Sequence, residues 1–144
     1  MKTKHLITII ALIGTIIGVG VHGCKKAEDY YNRGDARFKK GETDRAISDF
    51  TRAIEMNPKF AMAHFYRGRA YLSKRELDQS VSDLNKAIEI DPGFAVAYSE
   101  RAMVYYIRKD YDKVWEDIGK AESLGLETRP GFREALQKAS GRKK

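Results

Sequence analysis

The sequence predicts an all-α solenoid, and three observations carry that expectation: a 34-residue period repeated three times, two helical patterns within each period, and small residues at the same places in every copy. The units run 27–60, 61–94 and 95–128, and the first two agree at 14 of 34 positions without a gap. A period of this length marks a supersecondary unit that cannot bury its apolar face alone and must stack on its neighbours.

Within the first unit, Tyr30, Gly34 and Phe38, then Ala46, Phe50, Ala53 and Ile54, recur at i, i+3 and i, i+4 spacing, with Gly41 as a breaker between them. Two helices of about 14 residues joined by a tight turn follow. Asn57-Pro58 and Asp91-Pro92 end the second helix of units one and two, because proline disfavours helical geometry in the residue before it. Small residues fall at the eighth, twentieth and twenty-seventh positions: Gly34, Ala46 and Ala53; Gly68, Ser80 and Ala87; Ala102 and Ala121, with Val114 the exception. They let paired helices approach closely, while Tyr30, Phe50, Leu84, Tyr98 and Ile118 fill the space around the contact. Unit three lacks the terminal proline and uses Gly125 as its helix stop. Residues 129–144 supply a short capping helix and a basic tail, with Phe132, Ala135, Leu136 and Ala139 expected against unit three and Arg133, Gln137 and Lys138 toward solvent.

Period, small-residue positions and terminal proline together resemble the tetratricopeptide repeat family over 27–128. The resemblance implies a right-handed solenoid whose first helices line a concave groove that holds a partner segment. Carried over position by position, the groove residues include Tyr31, Asp35 and Phe38 in unit one, Met62, Phe65, Tyr66, Arg69 and Leu72 in unit two, and Met103 and Tyr106 in unit three. Such an aromatic and methionine-rich surface suits an apolar or amphipathic segment. Chaperone-binding members of the family carry a basic and amide clamp for a peptide carboxylate. Tyr31, Asp35, Tyr66, Val96 and Glu100 stand at the corresponding positions, so an acidic chaperone tail is not the expected partner.

Where the family usually has leucine, position seven is Arg33, Arg67 and Arg101, and position twenty-three is Asp49, Asp83 and Asp117. The shared helix face predicts an Arg to Asp pair in each unit, a structural role set by the repeat, with an arginine snorkelling alone to water as the alternative.

Ahead of the repeats, 1–23 has two lysines, no acid and an apolar run from Leu6 to Val21, the parts of a secretory signal. That run of 16 residues spans roughly 24 Å as helix, short of a hydrocarbon core of roughly 30 Å. Val21-His22-Gly23-Cys24 resembles the lipobox of bacterial lipoproteins. That resemblance implies cleavage before Cys24, lipid on its sulfur and 24–26 as a short tether, placing the protein in the cell envelope, membrane-anchored and facing the periplasm or exterior. A non-lipidated signal or an uncleaved transmembrane anchor are the alternatives.

The net charge of +7 falls to +5 without 1–23, and the basic residues are interspersed with acids rather than gathered into a stripe. This argues against nucleic-acid binding. After the signal, His64 is the only histidine, at a helix-packing position with no second His or Cys beside it. No zinc ligand set, phosphate loop or nucleophile motif follows, so no metal, cofactor or small-molecule substrate is expected. The sequence therefore points to a non-enzymatic, membrane-tethered scaffold for a protein or peptide partner, or else to an assembly factor of pilotin type for an outer-membrane or pilus component.

Overall fold

The computed structural model describes residues 25–141, and among them all regular structure is helical. Helix α1 covers 25–39. It is followed by α2 (Thr43–Met56), α3 (Ala61–Ser73), α4 (Leu77–Ile90), α5 (Ala95–Ile107), α6 (Tyr111–Ser123) and α7 (Pro130–Ser140). The pairs α1/α2, α3/α4 and α5/α6 are the three repeats. Packing is between neighbours along the chain, with α2 on α3, α4 on α5, and α3 touching α5 across one unit. This is an α-solenoid of three helix pairs.

The turn inside each pair has one geometry. At the end of α1 the Gly41 amide donates to the Phe38 carbonyl (2.9 Å) and the Glu42 amide to the Arg37 carbonyl (3.0 Å). The same two bonds recur at Arg75 and Glu76 after α3, and at Lys109 and Asp110 after α5. This Schellman closure needs a left-handed residue. Gly41 adopts it at φ 80°, but Arg75 and Lys109 adopt it at φ 60° and 62° with a side chain in place. Units one and two end otherwise: Asn57 and Asp91 are extended before their prolines, and their side-chain oxygens accept the Lys59 and Gly93 amides. Gly125, at φ 87°, ends α6 with a fourth Schellman pair.

Close approach explains the small residues. A Cβ on Gly34 would stand 2.8 Å from the Phe50 ring, and one on Gly68 would meet Leu84 Cγ at 3.1 Å and the Ser80 carbonyl at 3.2 Å. Around these contacts lie two apolar clusters. The first joins Phe65, Leu84, Ala87, Ala97 and Val104 between units two and three. The second joins Ala102, Val114, Ile118 and Leu136 and is closed by Phe132 and Trp115.

Helix α7 begins with Pro130, whose missing amide hydrogen costs nothing at that position. Its contact with the second cluster differs from expectation. Leu136 is buried and Phe132 half-buried, but Ala135 and Ala139 are exposed and Gln137 is partly covered. The contact line runs Phe132, Leu136, Ser140 at four-residue steps, because Trp115 lies along it and approaches Ser140 Oγ with its Nε1 at 3.4 Å. Alanines one residue before each step fall off that line.

At the other end, Lys25 and Lys26 are already helical, not an extended tether. Cys24 and the expected signal at 1–23 lie outside the described residues. Among the described residues no helix is long and apolar enough to cross a membrane.

Candidate functional site: a groove along the first helices

The charge pairs that fix each unit set the frame for the groove. Arg33 donates through Nε and Nη2 to Asp49 at 2.9 and 2.6 Å, Arg67 to Asp83 at 2.7 and 2.8 Å, and Arg101 to Asp117 at 2.9 and 2.6 Å. Each is a two-pronged bond to a carboxylate that is no more than 5% exposed. Asp49 also accepts Arg37 Nη1 at 2.7 Å. Asp83 lies 3.2 Å from Nδ1 of the buried His64, whose Nε2 lies 3.1 Å from the Pro58 carbonyl. Burial pushes the Asp83 carboxyl up, but the hydrogen bonds from Arg67 and His64 outweigh it and hold the group below the usual carboxylate range. His64 is thus a packed strut between units one and two.

These arginines also reach backward along the array, which the sequence reading missed. Arg67 Nη1 donates to Thr51 Oγ1 at 3.0 Å and Arg101 Nη1 to Asn85 Oδ1 at 2.6 Å. Thr51 and Asn85 both occupy position twenty-five of the preceding unit. The sequence signal was a polar acceptor at that position in two units out of three, with Gly119 in the third.

The ten groove candidates separate into three groups. Met62 and Met103 are exposed. Tyr31, Asp35, Phe38, Tyr66, Arg69 and Leu72 are half-buried. Phe65 is 4% exposed and belongs to the core between units two and three, stacked on Phe94 at 4.8 Å, so it offers no open surface. Tyr106, also half-buried, packs against Tyr111 and Phe132 and serves the cap contact.

Tyr31, on α1, meets Phe60 at 5.1 Å and Tyr66 at 5.6 Å, so the aromatic residues knit units one and two while keeping one side toward the groove. Burial, the neighbouring Tyr66 and the Asp35 charge all push the Tyr31 hydroxyl well above its usual range. The Arg69 guanidinium lies 5.6 to 5.9 Å from the Tyr66, Phe65 and Phe38 rings, and its Nε is 3.3 Å from Glu100 on α5. One residue thereby joins the groove walls of all three units.

A cleft of about 480 Å³ continues the groove toward the cap, walled by Val96, Glu100 and Met103 of α5, Phe132 of α7 and the connecting residues 126–129. At 126–128 unit three has Leu-Glu-Thr where units one and two have Pro-Lys-Phe and Pro-Gly-Phe, so the other copies gave no sign of the cleft. Among the described residues no group of three His, Cys, Asp or Glu side chains is placed to hold a metal ion.

Stacked helix hairpins with an aromatic and methionine-lined inner wall define a repeat-type interaction module. Residues 31–95 match the model of the tetratricopeptide repeat, and the helix pairs are similar to those of solved structures with that repeat. Three solved structures illustrate the likeness. The TPR2B domain of yeast Sti1, in complex with pHsp70, is 29% identical with a TM-score of 0.72, covering 83% of this chain and 99% of that one. The first TPR of Spaghetti (RPAP3), bound to the HSP90 peptide SRMEEVD, is 23% identical with a TM-score of 0.75, covering 82% and 93%. MamA is 31% identical with a TM-score of 0.67; the match covers 76% of this chain but 61% of MamA. No curated protein matches the chain in sequence.

Proposed function

We propose that the protein is a membrane-tethered adaptor of the bacterial cell envelope that holds a segment of a partner protein along the groove. One observation carries the reading. Of the five large apolar side chains exposed among the described residues, four (Met62, Val96, Met103 and Ile107, 38–43% exposed) lie on α3 and α5 at groove positions. Apolar surface gathered on one face marks an interaction site, where scattered residues would not. The complex of the Sti1 domain with pHsp70 supports occupancy of this fold by a protein partner. The mechanism in this reading is recognition, with the exposed apolar face supplying contact area to the bound segment.

A photo-crosslinking residue placed at Met103, and in a second variant at Lys86 on α4, tests the site in intact cells. A partner adduct from position 103 alone is expected; equal adducts from both positions reject the groove. The tether rests on the lipobox-like Val21-His22-Gly23-Cys24 and on a first helix that is under way by Lys25. Mass spectrometry of the mature N-terminus tests it separately, and an unmodified Cys24 still joined to Gly23 removes it.

A further inference from the structure

We infer that Asp35 is the receptor for an arginine side chain of the segment held in the groove, an inference that rests on the groove reading above. Asp35 stands about one turn before the end of α1. Its Oδ2 accepts Lys39 Nζ at 2.6 Å, while its Oδ1 is buried and has no hydrogen-bond partner. A covered carboxylate oxygen without a donor is an unfilled acceptor, and an exposed i, i+4 lysine is a weak, easily displaced occupant of the other oxygen. Lysine brings a point charge to one oxygen. A guanidinium brings a planar fork that meets both, and the soft torsion of the carboxylate lets Oδ1 turn toward it.

The molecule contains a related arrangement between units two and three, where Arg69 Nε lies 3.3 Å from one oxygen of Glu100. There Glu100 supplies the carboxylate, Tyr66 and Phe65 supply the rings, and Arg69 supplies the guanidinium lying over them. Between units one and two the carboxylate is Asp35 and the rings are Tyr31 and Tyr66, 5.6 Å apart edge to face, with the Tyr31 hydroxyl close enough to feel the Asp35 charge. The arginine is the missing member. A partner segment with one arginine over unit one and apolar residues reaching Met62 and Met103 fits both the charge and the exposed surface. The SRMEEVD peptide, bound by a protein of the same fold, has three acids among its last four residues and would bring like charge to Asp35.

The test uses the full chain and two matched pools of acetylated, amidated nonapeptides. Flanking positions are drawn from Leu, Met, Phe and Ala, and the central residue is arginine in one pool and its neutral isostere citrulline in the other. Retention by the wild-type protein should favour arginine by about tenfold, the size of one charge-assisted hydrogen-bonded contact. Asp35→Asn should abolish the preference, and Lys39→Ala, by removing the internal competitor, should strengthen arginine-peptide retention. Equal retention of the two pools overturns the Asp35 inference and leaves the groove reading standing. Weaker arginine-peptide retention by Lys39→Ala overturns it as well, because the lysine would then be supporting the bound peptide instead of competing for Asp35. Retention of neither pool overturns both readings together.

Discussion

Removing the arginine from each of the three Arg to Asp pairs should give three different losses of stability, ordered by what else holds the aspartate. Asp117 is 4% exposed and receives both its side-chain bonds from Arg101. Arg101→Ala therefore leaves a buried carboxylate with no side-chain donor and cuts the bond to Asn85 as well. Breaking a buried ion pair from one side costs about 3–5 kcal/mol, and the upper half of that range is expected here. Arg67→Ala removes the same two bonds from Asp83 and the one to Thr51, but His64 stays within 3.2 Å of the carboxylate, so the loss falls in the lower half. Arg33→Ala should be the mildest, since Arg37 still donates to Asp49 and Arg33 itself is largely exposed. Urea denaturation followed by far-ultraviolet circular dichroism measures all three. The paired change Arg101→Met with Asp117→Leu should recover most of the loss, because an apolar pair of similar volume leaves no stranded charge. Equal losses for the three alanine variants, or no recovery in the paired variant, would refute the ordering by residual donors.

Two other outcomes follow from local geometry. Arg75→Gly and Lys109→Gly should each raise stability by about 0.5–1 kcal/mol, since relief of a left-handed side chain outweighs the added freedom of the unfolded chain; a lower midpoint in either variant counts against the strain. Asp83 titrates lower in the folded protein than in the unfolded chain, so the unfolded state binds more protons in the window below about pH 4. Its stabilisation is complete above that window and is lost as the pH falls through the folded value. The acid side of the stability curve should accordingly be steeper for the wild type than for Asp83→Asn, and identical slopes would contradict the shift.

Elements repeated in every unit were legible in the sequence because any local accident is outvoted by two other copies. Gly34 and Gly68 announce close helix contacts by recurring at one position, and the Arg and Asp partners share faces that the period alone fixes. Legibility failed where a residue's surroundings change from copy to copy. Phe65 shares its position with Tyr31 and Ser99, yet it alone is drawn into the core, because Phe94 at the end of its own unit and Val104 of the following unit close over it. Arg75 and Lys109 occupy a turn that Gly41 would have marked as left-handed, and the backbone bonds, not the residue type, impose that geometry. The cleft beside the cap depends on 126–129, where unit three departs from the Pro-x-Phe endings of the other units, and on Phe132 of the cap.

The backward reach of the arginines gives the array two unlike ends. Arg67 and Arg101 each grip the unit before them, whereas among the described residues Arg33 Nη1 has no such acceptor, and position twenty-five of the last unit is Gly119, which has nothing to offer a follower. A copy of unit two inserted between units two and three would find a matching half-link on either side. A copy appended after unit three would find none and would have to displace α7. A unit inserted internally would thus keep the arginine link on both sides, whereas one added at the capped end would do without it.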